Sequence, residues 1–115
     1  MAVSIPQPLF NVTTLTTSAG TLYTAPSVPP GSLAVANVRV RFTNLTTSAH
    51  AVTAYAVASG GSPGTSNTVL QAESIAGNAH LDVDMPVLGP SGFYSALADT
   101  LTSVNASVLS AVIFS

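Results

Sequence analysis

The chain has no cysteine, no lysine and no tryptophan, and charged residues make up only 5% of it. Without cysteine there can be no disulfide framework, no thiolate metal site and no thiol redox chemistry. Arg39 and Arg41 are the only strong bases. Two cations cannot neutralise the row of phosphates that nucleic-acid binding demands, so no nucleic-acid partner is expected. No apolar run approaches the roughly 18 residues of a spanning helix, so no membrane partner is expected either. The opening stretch, Met1 to Phe10, lacks a basic segment followed by an apolar one, and no secretory leader is expected from it.

What is present is apolar and hydroxylic. Of 115 residues, 47% are hydrophobic, enough for one real core and too many for charge-driven disorder. An ordinary soluble domain carries about 25% charged residues. Here 14 Thr and 15 Ser take over the solvent-facing role. With a net charge of −2, little like-charge repulsion keeps copies apart, so self-association is expected.

Eight Gly and eight Pro cut the chain into short segments filled by Val, Thr, Leu and Ala. Val and Thr are stiff at the first side-chain torsion and suit a pleated surface. Short runs separated by regular turn signals predict an all-β fold, with strands over 10–17, 21–24, 33–44, 50–58, 68–75, 79–85, 93–98 and 104–114. Val38, Val40 and Phe42 alternate with Arg39, Arg41 and Thr43, which puts the first three inward. Leu33 and Val35 lie in the opposite phase, predicting a bulge near Ala36–Asn37 or a change of sheet. Leu81, Val83 and Met85 alternate with His80, Asp82 and Asp84, so Leu81 and Val83 are also expected inward, as is Phe114. The last run is apolar on both parities and reads as a central strand, or one whose outer face meets another subunit. A helix within Ser95–Leu109 is the rival, weakened by the poor helix formers from Asp99 to Asn105.

The connections are equally legible. Ser59 to Asn67 contains nothing that packs and reads as an exposed, mobile loop. Ala76-Gly-Asn78 reads as a tight hairpin turn, since Gly and Asn tolerate positive φ. Residues 1–19 are taken as an N-terminal arm and first strand, and 20–115 as the folded domain. The arm is apolar and doubly prolyl, and Ile5, Leu9 and Phe10 are its expected contacts with a partner surface.

Candidate chemistry is thin. His80, Asp82 and Asp84 project from one strand face in a row about 13 Å long. A metal would need further ligands, and the simpler reading pairs the two carboxylates with Arg39 and Arg41 on a neighbouring strand. No nucleophile elbow or phosphate loop occurs. Glu73, Asp82, Asp84 and Asp99 imply no catalytic cleft. Neither catalysis, a metal nor a cofactor is expected. Tyr23, Tyr55 and Tyr94 could stack against a sugar, although half-buried tyrosines are the plainer reading. Sequons at Asn11, Asn44 and Asn105 arise readily by chance in a chain so rich in Ser and Thr.

Four segments in order, Thr21-Leu-Tyr-Thr-Ala-Pro26, Val35 to Asn44, Val52 to Gly61 and Ser74 to Ala79, are followed by a final apolar strand. Over residues 21–115 the string resembles a family of small bacteriophage virion proteins, found as capsid decoration (cement) proteins and as tail or fibre modules. The resemblance implies a single jelly-roll-like antiparallel β-sandwich without catalytic residues or cofactor. The expected role is to decorate and stabilise the capsid surface, with the major capsid protein and other copies, as a homotrimer, for partners. A neck, tail or fibre module, with or without a carbohydrate-binding role, is the alternative. Arg39, Arg41, Asp82 and Asp84 join Ile5, Leu9 and Phe10 as the expected interaction residues.

Overall fold

A computed structural model describes residues 12–25, 35–101 and 103–113. Eight strands follow one another: β1 (Thr13–Thr14), β2 (Gly20–Thr24), β3 (Val35–Asn44), β4 (His50–Val57), β5 (Thr68–Ile75), β6 (His80–Met85), β7 (Phe93–Ala98) and β8 (Val104–Ile113). They form two four-stranded sheets, ordered β1-β8-β3-β6 and β2-β7-β4-β5, and every pairing is antiparallel. Only the β4–β5 connection joins neighbours in one sheet; all the others cross between sheets. The rival helix does not form, because Ser95–Leu109 is divided between β7 and β8.

The two inner faces make one core. Val38, Val40, Phe42, Met85, Val104 and Ala106 come from the first sheet. Val52, Ala54, Ile75, Tyr94, Ala96 and Ala98 come from the second. Each set follows the period of two that a half-buried strand imposes. Leu81 and Val83 also pack against this core but remain half-buried, because β6 is a sheet edge with one neighbour. β8 lies between β1 and β3 as a central strand, with Val104 and Ala106 facing the core and Leu109, on the other parity, exposed. The phase slip in β3 is a bulge: its register with β8 shifts between Ala36 and Arg39.

Three expectations need correction or qualification. Ala76–Asn78 is a turn, with Asn78 at φ 58°, yet it carries the chain from one sheet to the other and makes no hairpin. Sheet membership is set by which face must be buried, and no turn motif encodes that. Secondly, the Ser59–Asn67 loop is largely exposed as expected but has local structure of its own. A 3-10 turn at Thr65–Asn67 is held by Asn67, whose Oδ1 accepts from the Gly64 N–H at 2.9 Å while Nδ2 donates to the Ser62 carbonyl at 2.8 Å. Thirdly, the first strand is far shorter than expected among the described residues, because after Thr14 the chain turns toward the second sheet. There the Ala98 N–H donates to the Thr16 carbonyl at 2.9 Å. Ile5, Leu9, Phe10 and Phe114 lie outside the described residues.

Candidate functional site

The strand directions give the sandwich two unlike ends. At one end, the loop after β3, the β5–β6 turn and the loop before β8 lock together. Asn44 is the key, with 1% of its surface exposed. Its Nδ2 donates to the carbonyls of Ser48 (2.8 Å) and Ile75 (2.9 Å), and its Oδ1 accepts from the backbone N–H and hydroxyl of Thr46. Both amide atoms are therefore fully used, which is what burial of such a group requires. Beside it, a Cβ on Gly77 would lie 2.2 Å from the Thr47 carbonyl oxygen, so only glycine fits there.

His50, Asp99 and Thr100 also meet at this end. Asp99 lies 2.9 Å from His50 Nδ1, and the Thr100 hydroxyl lies 3.3 Å from that same nitrogen. A catalytic relay needs the hydroxyl and the carboxylate on opposite ring nitrogens, so this trio is not one. The Ala51 backbone N–H, and then His50, hold the Asp99 carboxyl below its ordinary value.

At the opposite end the described residues frame a groove. It measures about 670 Å³ and is lined by residues 56–59, 66–69, 86–90 and 92. Its walls are the end of β4, the 59–67 loop with the start of β5, and the connection from β6 to β7. Tyr94 sets the last of these. Its fully buried ring is a core residue, and its hydroxyl donates to the Pro86 carbonyl at 2.6 Å. Burial, with Tyr23 nearby, pushes the Tyr94 phenol far above its ordinary value, so it stays a donor. Gly92 closes the wall, since a Cβ there would sit 3.1 Å from the Val57 carbonyl oxygen. Val87 stands half-exposed at 51%. None of the lining residues is acidic, basic or a histidine, so the groove offers no general acid or base. Its lining is uncharged and mostly apolar, with Ser59, Ser66, Asn67 and Thr68 as its hydroxyl and amide groups.

The third feature is the outer face of the first sheet. β3 and β6 pair Arg41 with Asp82 and Arg39 with Asp84. Arg41 grips Asp82 through two bonds of 2.8 and 3.1 Å, and that grip is the main reason the Asp82 carboxyl is held low. The Arg39–Asp84 pair is looser, at 3.3 Å, and more exposed. Both carboxylates of the His80-Asp82-Asp84 row thus face arginine. Among the described residues no three His, Asp or Glu side chains are placed to hold a metal ion. The three tyrosines do not share a surface, because Tyr94 is in the core.

Reasoning from sequence found the arginine–carboxylate pairs and missed Asn44 and the groove. A signal for Asn44 existed: Asn-Leu-Thr46 is the spacing of an Asx turn, in which the side chain caps a backbone N–H two residues on. The groove had none, because its walls come from three connections distant in the chain. The chain matches no family model, no curated protein and no solved structure.

Proposed function

We propose that this chain is a non-enzymatic structural protein of a bacteriophage virion, which decorates the capsid surface and cements it as a symmetric oligomer of three-fold type. The observation that carries the reading is the strand order. Two four-stranded sheets ordered β1-β8-β3-β6 and β2-β7-β4-β5 read as a jelly roll, an architecture used by viral capsid and lectin domains. The low charge and the hydroxyl-rich exterior support it, since a chain held permanently among neighbours does not need charge to stay dispersed. The Arg39–Asp84 and Arg41–Asp82 pairs present a charge-balanced face that orients a neighbour more than it holds one.

The test is co-sedimentation of purified protein with capsids that lack it. Saturable binding at many copies per particle is the expected result. Binding only to tail particles or to glycans transfers the role to an appendage.

A further inference from the structure

We propose that strand β6 is a pairing edge for a second copy of this chain, the two β6 strands running antiparallel about a two-fold axis at Leu81. The contact is isologous, so it is distinct from the three-fold one proposed above and does not rest on the virion reading.

The two sheets have β1, β6, β2 and β5 as their edges. An edge strand offers unpaired N–H and C=O groups to any chain that reaches it, and folded proteins blunt such edges. Three of these edges are blunted. β1 covers two of the described residues. β2 slips its register with β7 between Thr21 and Tyr23, and β5 slips against β4, with Ala72 at φ 45°. β6 has none of these devices. It pairs with β3 over six successive residues, from His80 with Thr43 to Met85 with Val38, without a shift. It contains no proline, glycine or lysine. Its charges do not guard it either, since Asp82 and Asp84 lie on the outer face and each is answered by an arginine of β3.

The hydrogen-bond phase shows what this edge offers. The Asn44 N–H donates to the Ala79 carbonyl at 2.9 Å. Backbone groups alternate in direction along a strand, so Ala79, Leu81, Val83 and Met85 turn theirs toward β3. His80, Asp82 and Asp84 turn theirs outward, where no described residue pairs with them. On the core side Leu81 and Val83 stay half-buried for the same reason, because their outer flank has no neighbouring strand.

A second β6 fits this edge, and charge selects the register. Outward backbone groups must meet outward ones, so even-numbered residues face even-numbered residues. Centring the pair on Val83 sets Asp82 against Asp84 of the second copy, twice over. Centring it on Asp82 or Asp84 sets a carboxylate against itself, and like charges directly opposite are destabilising. Centring it on Leu81 instead sets each His80 against Asp82 of the other copy. A ring N–H donor then meets a carboxylate that Arg41 leaves with lone pairs to spare. On the core side Leu81 meets Leu81 and Val83 meets Ala79, so the two cores join across the edge. Centring on His80 also keeps carboxylates apart, but it runs into the turn at Asn78 and pairs fewer strand residues. The product is one continuous antiparallel sheet shared by two copies, with main-chain bonds for affinity and the outer row for register.

Because the chain has no cysteine, introduced thiols report the register directly. Centred on Leu81, the two Leu81 Cα atoms lie about 4.5 Å apart, within the roughly 4.4–6.8 Å that a disulfide spans. The two Val83 Cα atoms are then four residues out of step, about 13 Å apart. Mild oxidation of Leu81→Cys should therefore give disulfide-linked dimer at about tenfold or more the yield from Val83→Cys. Equal yields, or more from Val83→Cys, overturn the proposal. His80→Pro removes an outward N–H and the imidazole but no bond to β3. It should weaken dimerisation about tenfold or more in sedimentation equilibrium, with an unchanged far-UV spectrum. His80→Asp, which sets carboxylates opposite one another, should do the same and serves if the proline variant does not fold. A folded variant that dimerises as strongly as the unaltered chain overturns the proposal. So does an unaltered chain that stays monomeric at millimolar concentration, even one whose β6 takes up a foreign strand. Capsid co-sedimentation is scored separately, so pairing without capsid binding upholds this contact and overturns only the decoration role.

Discussion

The two ends of the sandwich are built from the same kinds of residue yet behave as opposites. At the locked end, Asn44, Gly77 and Asn78 tie three connections together, and the Asn78 N–H donates to the Thr46 carbonyl at 2.8 Å. Polar atoms there are spent on one another. At the groove end, the 59–67 and 86–92 connections each fold on themselves, through Asn67 and the Tyr94–Pro86 bond, and leave a space between. Side-chain hydrogen bonds bridge the loops at the first end, whereas at the second each connection is bonded within itself.

The comparison yields predictions that decrease in size from the core outward. Phe42→Ala removes a fully buried core ring and should cost about 3–5 kcal/mol in urea or thermal unfolding. Asn44→Ala strands the buried Ile75 carbonyl and the Thr46 N–H, and should cost about 2–4 kcal/mol. If it cost less than Phe42→Ala by much more than that range allows, the locked end would not be a centre of stability. Gly77→Ala forces the turn away from the Thr47 carbonyl and should cost about 1–3 kcal/mol. Val87→Ser at the groove end should change unfolding stability by no more than about 0.5 kcal/mol, because the side chain is already half in water.

Acid sharpens the contrast. The Asp99 carboxyl is held low in the folded state, chiefly by the Ala51 N–H, so its contribution is fully present above the unfolded value of about 3.9. It is lost as pH falls below that and through the folded value. Asp82 follows the same sign through Arg41. The groove contains nothing that titrates in that range. Amide exchange at pH 3 should therefore rise around Ala51 and Asp99 before it rises along the groove walls, and Asp99→Asn should flatten the acid limb of stability. Equal loosening of both ends would remove the distinction.

The strands were legible because period-two alternation is a local pattern: Val38, Val40 and Phe42 against Arg39 and Arg41 fix a face wherever the strand lies. The same alternation in His80–Met85 brought the arginine–carboxylate ladder within reach, since two outward rows of opposite sign attract on adjacent strands. Ala72 shows where such reasoning stops. It sits at φ 45° in a bulge of β5, with its N–H donated to the Thr53 hydroxyl at 3.1 Å. Nothing in Gln71-Ala-Glu73 signals a bulge, because the partner that stabilises it lies 19 residues earlier.

By itself, then, the sequence determined the class of structure and the character of the surface. A chain with no cysteine, two strong bases and a quarter of its residues Ser or Thr has to fold on alternating apolar strands and face water with hydroxyls. Tertiary structure alone decided which strands are neighbours, that the Ala76–Asn78 turn leaves its sheet, and that one end locks while the other frames a groove. The physical reason is range. Alternation, turns and charge rows act over a few residues, whereas the pairing of β8 with β3 and the meeting of residues 57, 67 and 87 depend on burying two whole faces against each other at once.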